Sequence, residues 1–128
     1  LIFSGVSTTG TSQLMVQLGD SGGIENTGYS GSVVNSGSST STSFGNATGW
    51  LLEGASAASI NVSGILTLRR VFSTNWVMSC VLANNNSAIT FVSAGSKNLS
   101  GDLTTINLRT LGGVDTFDAG LLNIHYSK

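Results

Sequence analysis

The chain has 128 residues, a formal net charge of −1 and only 9% charged residues, against about 25% in an average soluble domain, so it carries no electrostatic footprint for nucleic acid. Hydrophobic residues make up 40% and mean hydropathy is +0.25, which excludes the low-hydrophobicity, high-charge composition of a disordered chain. This length buries one real core, and with Gly, Ser, Thr and Asn filling nearly half of the positions it does not describe a helical protein.

Short or alternating apolar runs of strand length, separated by Gly, Asn and Ser clusters, recur from end to end, and no window holds a sustained helical period. The first predicted strand is Leu1 to Val6. Ser12 to Gly19 follows, with Leu14, Val16 and Leu18 on the inward face and Met15 and Gln17 on the other. Gly22-Gly23 breaks the pattern, Ile24 to Val34 is strand-like with gaps, and Asn35 to Gly49 reads as a loop or a weak edge strand around Phe44. Trp50 to Leu52 resumes, and Ile60 to Val71 is a long strand with a bulge or bend expected at Gly64. After a turn at Phe72 to Asn75, Trp76, Met78, Cys80 and Leu82 share one strand face, with Val77, Ser79 and Val81 opposite. Asn84 to Asn86 suits a turn. Ile89 to Ala94, Leu103 to Leu108 and Leu121 to Tyr126 complete a single domain over residues 1–128. The spacing predicts an all-β, antiparallel, jelly-roll-like β-sandwich of about eight to ten strands. With no proline, its turns rest on Gly, Asn, Asp and Ser.

Chemistry-bearing motifs are scarce. Cys80 and His125 are the only residues of their types, which leaves no disulfide framework and no transition-metal ligand set; no metal and no cofactor are expected. Gly19-Asp20-Ser21-Gly22-Gly23 matches the nucleophile string of chymotrypsin-like proteases, but that mechanism needs a His base ahead of the Ser, and His125 is the fourth residue from the end. The string reads as a polar hairpin turn. Asp115 and Asp118 are too few oxygen donors for calcium, and no pair stands out among the six carboxylates, so no catalytic residue is assigned. Four Asn-X-Ser/Thr sequons match the number composition alone yields. Apolar runs stay very short, as at Trp50-Leu51-Leu52, so no membrane insertion is expected.

Aromatic faces and polar loops are the remaining candidates for ligand contact. Tyr29, among Gly28, Ser30 and Gly31, is expected to be exposed; Trp50 heads an apolar run; Asn84 and Asn85 offer amides in a polar loop, and Ser36 to Thr48 is a second such loop. Leu121 beside Leu122 puts apolar residues on both faces of one strand, which suits burial on two sides by neighbouring chains.

Phe3-Ser4-Gly5-Val6-Ser7-Thr8-Thr9-Gly10-Thr11, running on through Leu14 to Gly23 and Ile24-Glu25-Asn26-Thr27-Gly28-Tyr29, resembles the opening of a domain at the C-terminal ends of tailed-bacteriophage and prophage tail-fibre proteins. Val114-Asp115-Thr116-Phe117-Asp118-Ala119-Gly120 with Leu121-Leu122-Asn123-Ile124-His125-Tyr126 resembles its terminal strand pair, and Asn75-Trp76-Val77 fits its middle. The resemblance implies a virion appendage tip, external after release, forming a homotrimer beside other virion proteins and displayed to a bacterial surface, with a glycan as the expected ligand. It carries no catalytic signature, and no enzyme is expected. A purely architectural capsid, baseplate or fibre-capping domain and a monomeric carbohydrate-binding module are the alternatives. The opening Leu1 in place of an initiator Met leads to the expectation of the C-terminal part of a longer chain.

Overall fold

The computed structural model describes residues 1–37, 42–54 and 57–126. Among these the chain forms eleven strands and no helix: β1 (Ile2–Thr8), β2 (Leu14–Asp20), β3 (Gly23–Ile24), β4 (Tyr29–Ser36), β5 (Thr42–Phe44), β6 (Trp50–Leu51), β7 (Val62–Phe72), β8 (Asn75–Asn84), β9 (Thr90–Asn98), β10 (Thr105–Thr110) and β11 (Phe117–Asn123). The larger sheet has seven strands in the order β11-β1-β7-β8-β9-β4-β5; the smaller has the order β10-β2-β3, with β6 also paired to β2. Every pairing is antiparallel. The protein is an all-β antiparallel sandwich. Its sheets are unequal, and the larger is dominated by the β7-β8-β9 meander, so the strand order does not by itself establish the jelly-roll form.

One core lies between the sheets, with Phe3, Val33, Leu66, Cys80, Leu82 and Phe91 from the large sheet meeting Leu14, Val16, Leu18 and Trp50 from the small one. The period of two is plainest in β8, where Met78, Cys80 and Leu82 are buried and Val77, Ser79 and Val81 face out. In β2 the alternation is overridden. Met15 and Gln17 are as buried as the inward residues, because the segment before β6 crosses their face: Gln17 Nε2 donates to Thr48 O at 2.8 Å and Thr48 Oγ1 lies 3.9 Å from Met15 Sδ.

Three sequence expectations shift in the structure. The irregularity assigned to Gly64 lies across from it in β1, where three steps from Phe3 to Val6 oppose two from Gly64 to Val62, and Gly5 takes the left-handed φ of 64° that such a bulge uses. Gly64 is instead required by closeness: a Cβ there would sit 2.0 Å from Val81 O on the neighbouring strand. Within Asn35 to Gly49, β4 continues to Ser36 and Thr42–Phe44 is an edge strand; residues 38–41 lie outside the described residues. The closing strand is Phe117–Asn123, not Leu121 to Tyr126. Thr9 and Thr116 pin its start, with Thr9 N donating to Thr116 O at 2.9 Å and Thr116 N to Thr9 Oγ1 at 3.1 Å, so His125 falls beyond the strand and is exposed.

Gly64→Ala should lower stability by about 2–4 kcal/mol in denaturant unfolding, because a backbone carbonyl cannot move aside. Gly112→Ala, at φ 83° with nothing within 4 Å of its Cβ position, should cost only about 1 kcal/mol. Burial pushes the Cys80 thiol up to about 12. The native protein should therefore resist alkylation at pH 8 and take up one label per chain only when unfolded.

Candidate functional site

Beside β10 the chain turns through Gly112 and Gly113 to reach β11, and this crossing from the small sheet to the large one leaves an open groove of about 380 Å³. Asn107, Arg109, Asp115 and Phe117 line it. Asn107 and Arg109 stand on the outer face of β10, in register with Gln17 and Met15. Arg109 Nε donates to Thr110 O at 3.2 Å, and its guanidinium lies against Gly113, where a Cβ would come within 2.6 Å of Nη2. Gly113 thus admits the guanidinium to the groove. Among the described residues Arg109 has no carboxylate partner, so its terminal N–H groups remain for a ligand.

Asp115 is anchored from below. Ser12 N donates to its Oδ2 at 2.7 Å, Thr110 Oγ1 donates to its carbonyl at 2.9 Å, and the Ser12 hydroxyl and amide hold its carboxyl below the usual range. Phe117 is 42% exposed at the start of β11. A fixed carboxylate acceptor, a guanidinium, the side-chain amide of Asn107, whose nitrogen also donates to Gln17 Oε1 at 3.3 Å, and an open phenyl ring surround one space. That combination suits a sugar: vicinal hydroxyls need donors and acceptors side by side, and the C–H face of the ring needs an apolar plane.

The four residues singled out in the sequence sit elsewhere. Tyr29, expected at the surface, is 5% exposed, because its ring packs edge-on to Trp50, with centroids 5.2 Å apart and planes at 86°. Its hydroxyl accepts from Leu18 N at 2.6 Å and has Leu18 O and Glu25 O at 3.2 and 3.0 Å for its one proton. Trp50 is buried, Nε1 donates to Ser30 O at 3.1 Å, and the space beside it leaves no room for a water molecule. Neither ring has a face open to a ligand. Asn84 is buried and builds the β8–β9 turn, accepting from Asn86 N and donating to Ser87 Oγ, while Asn85 donates to Asn61 Oδ1 and Ser63 Oγ. Their amides hold the loop together. The Gly19 to Gly23 string is a hairpin turn, in which Asp20 Oδ1 accepts from Gly22 N at 2.7 Å.

Sequence reasoning also passed over a polar cluster joining the β2–β3 hairpin to the end of β9. Lys97 pairs with Glu25 and donates to Asn98 O at 2.8 Å, and its ammonium lies 5.4 Å from the centre of the Tyr29 ring. Glu25 Oε1 accepts from Ser100 N at 2.7 Å, and the Ser100 hydroxyl lies between Glu25 Oε1 and Asp20 Oδ2 at 2.8 and 2.7 Å. The partners are 75 and 80 residues apart, so no local motif marks them. The groove is equally invisible in sequence: Asn107 and Arg109 alternate on a strand, and only the glycine pair Gly112-Gly113 hints that the chain doubles back over them.

Comparison with protein families, curated proteins and solved structures finds no match to this chain.

Burial raises the Glu25 carboxyl, but hydrogen bonds from Lys97 and Ser100 outweigh it and hold the group below its ordinary 4.5. Its contribution is therefore complete above pH 4.5 and is lost as the pH falls through the lowered value. Glu25→Gln should cost about 1–3 kcal/mol at pH 7, and the gap from wild type should narrow in unfolding curves recorded toward pH 3.

Proposed function

We propose that this chain is a non-catalytic adhesive module at the tip of a bacteriophage tail fibre or related virion appendage, acting as a homotrimer and contacting a glycan on the bacterial surface. The observation that carries the adhesive reading is the groove, where exposed Phe117 stands beside the polar groups of Asn107, Arg109 and Asp115. Arg109 and Asp115 offset each other in charge, which favours a neutral sugar over an acidic one. The stretches whose sequence resembles tail-fibre domains form β1 to the start of β4, the start of β8 and β11, so they span both sheets. A second reading, an architectural domain that meets only other virion proteins, draws on the apolar residues exposed across the large sheet.

Fluorescently labelled protein should bind a subset of bacterial strains or their purified surface polysaccharides in a glycan array. Phe117→Ala should weaken that binding about tenfold, the loss of roughly 1.4 kcal/mol of aromatic contact, with an unchanged melting transition. Full binding by Phe117→Ala removes the groove from the adhesive reading, and no binding to any cell or polysaccharide leaves the architectural one.

A further inference from the structure

The outer face of the large sheet carries an apolar row in cross-strand register: Ile2 opposite Ile65, Ile65 opposite Val81, Val81 opposite Val92 and Val92 opposite Val34. Four of the five are 42–57% exposed. Such a row across five adjacent strands is a sheet face prepared for packing, since β-branched side chains directly opposite one another gain most when something covers them. Beyond Ile2 the register reaches Asn123 in β11, whose seven residues are all exposed: Leu121, opposite Ser4, is on the same outer face at 75%, Leu122, opposite Phe3, is on the other face at 42%, the strand is paired on one edge only, and Ile124 and Tyr126 just beyond it are 57% and 79% exposed. An apolar strand open on both faces and along one edge is a surface that soluble monomers avoid.

We infer that this face, from Val34 across to β11, is the interface at which a second copy of this chain docks. The inference rests on the oligomeric part of the function proposed above and names its surface. Charge favours a copy as the occupant: across the outward positions of β7, β8, β9 and β4 the only charged residue is Arg69, β1 has none, and β11 adds only Asp118, which accepts from Ser7 Oγ, so two such faces meet with little repulsion. Several other outward positions of those strands, among them Thr67, Ser79, Ala83, Ala94 and Ser32, are small and uncharged and let two sheets approach closely. Area agrees. Six strands about 4.8 Å apart and roughly 28 Å long offer roughly 800 Å², the contribution of one partner to a stable interface.

Light scattering across a dilution series tests this, with Val81→Lys/Val92→Lys as the variant. Both positions are exposed, so the folded domain should survive. Wild type is expected at a multiple of 13.1 kDa, and the variant at 13.1 kDa with an unchanged circular dichroism spectrum. A wild-type monomer overturns the inference together with the oligomeric reading. A variant that keeps the wild-type mass overturns the interface alone and leaves the oligomer standing. Should the variant fail to fold, Thr67→Cys on this face and Ser21→Cys on the β2–β3 hairpin decide the matter. In the assembled protein the first should react with maleimide about tenfold more slowly than the second; equal rates overturn the interface. Glycan binding by Phe117→Ala reads the groove separately.

Discussion

The two sheets are joined at one side by Tyr29, and much of the remaining geometry depends on that junction. Tyr29 opens β4 in the large sheet, yet its hydroxyl accepts the Leu18 amide of β2 in the small one. Trp50 reciprocates from β6, donating to Ser30 O next to Tyr29. Two aromatic rings edge to face, each with its polar atom spent on the opposite sheet, fix the separation of the layers more tightly than apolar contact alone, because hydrogen bonds are directional and dispersion is not. Lys97 beneath the Tyr29 ring extends the junction to Glu25 and through it to Ser100 and Asp20, so the short β3 hairpin is tied down by polar contacts where its two residues of pairing would not suffice.

A chain so poor in charge meets a particular difficulty with its surface. Six acidic and five basic residues must serve the whole molecule, and several are committed to internal bonds: Glu53 is buried and accepts the Leu14 amide, Glu25 holds Lys97, and Asp115 holds Ser12. What faces outward is mostly Ser, Thr, Asn and Gly, with the valine and isoleucine row across the large sheet. Uncharged polar groups suit contact with sugar hydroxyls, and an uncharged sheet face suits contact with its own copy. The groove is built mainly on β10 of the small sheet and the apolar row runs across the large sheet; the two meet at β11, where Phe117 lines the groove.

The fold was largely legible in the sequence because the determinants of an antiparallel strand are local. Alternation in Trp76 to Leu82 identified both the strand and its buried face, and the Asn84 to Asn86 turn was marked by residue type. The errors share one cause. Tyr29 among glycines and serines looks exposed, and only its pairing with Lys97 and its contact with Trp50, neither encoded nearby, brings it inside. Met15 and Gln17 look solvent-facing until the segment before β6 folds across them, and the Leu121 to Tyr126 alternation runs past the point where β1 stops offering partners.

Composition, period and turn chemistry by themselves determined an all-β antiparallel sandwich without charge for nucleic acid, because each of these acts over a few residues. Tertiary structure alone decided which polar groups are spent inside and which remain outside. Asn84 and Asn85 become loop braces, Tyr29 and Trp50 become the junction between sheets, and Asn107, Arg109, Asp115 and Phe117, none of them a ligand-binding candidate in the sequence, come to line the groove. The physical reason is that a side chain's availability depends on partners tens of residues away, and a linear pattern carries no record of those distances.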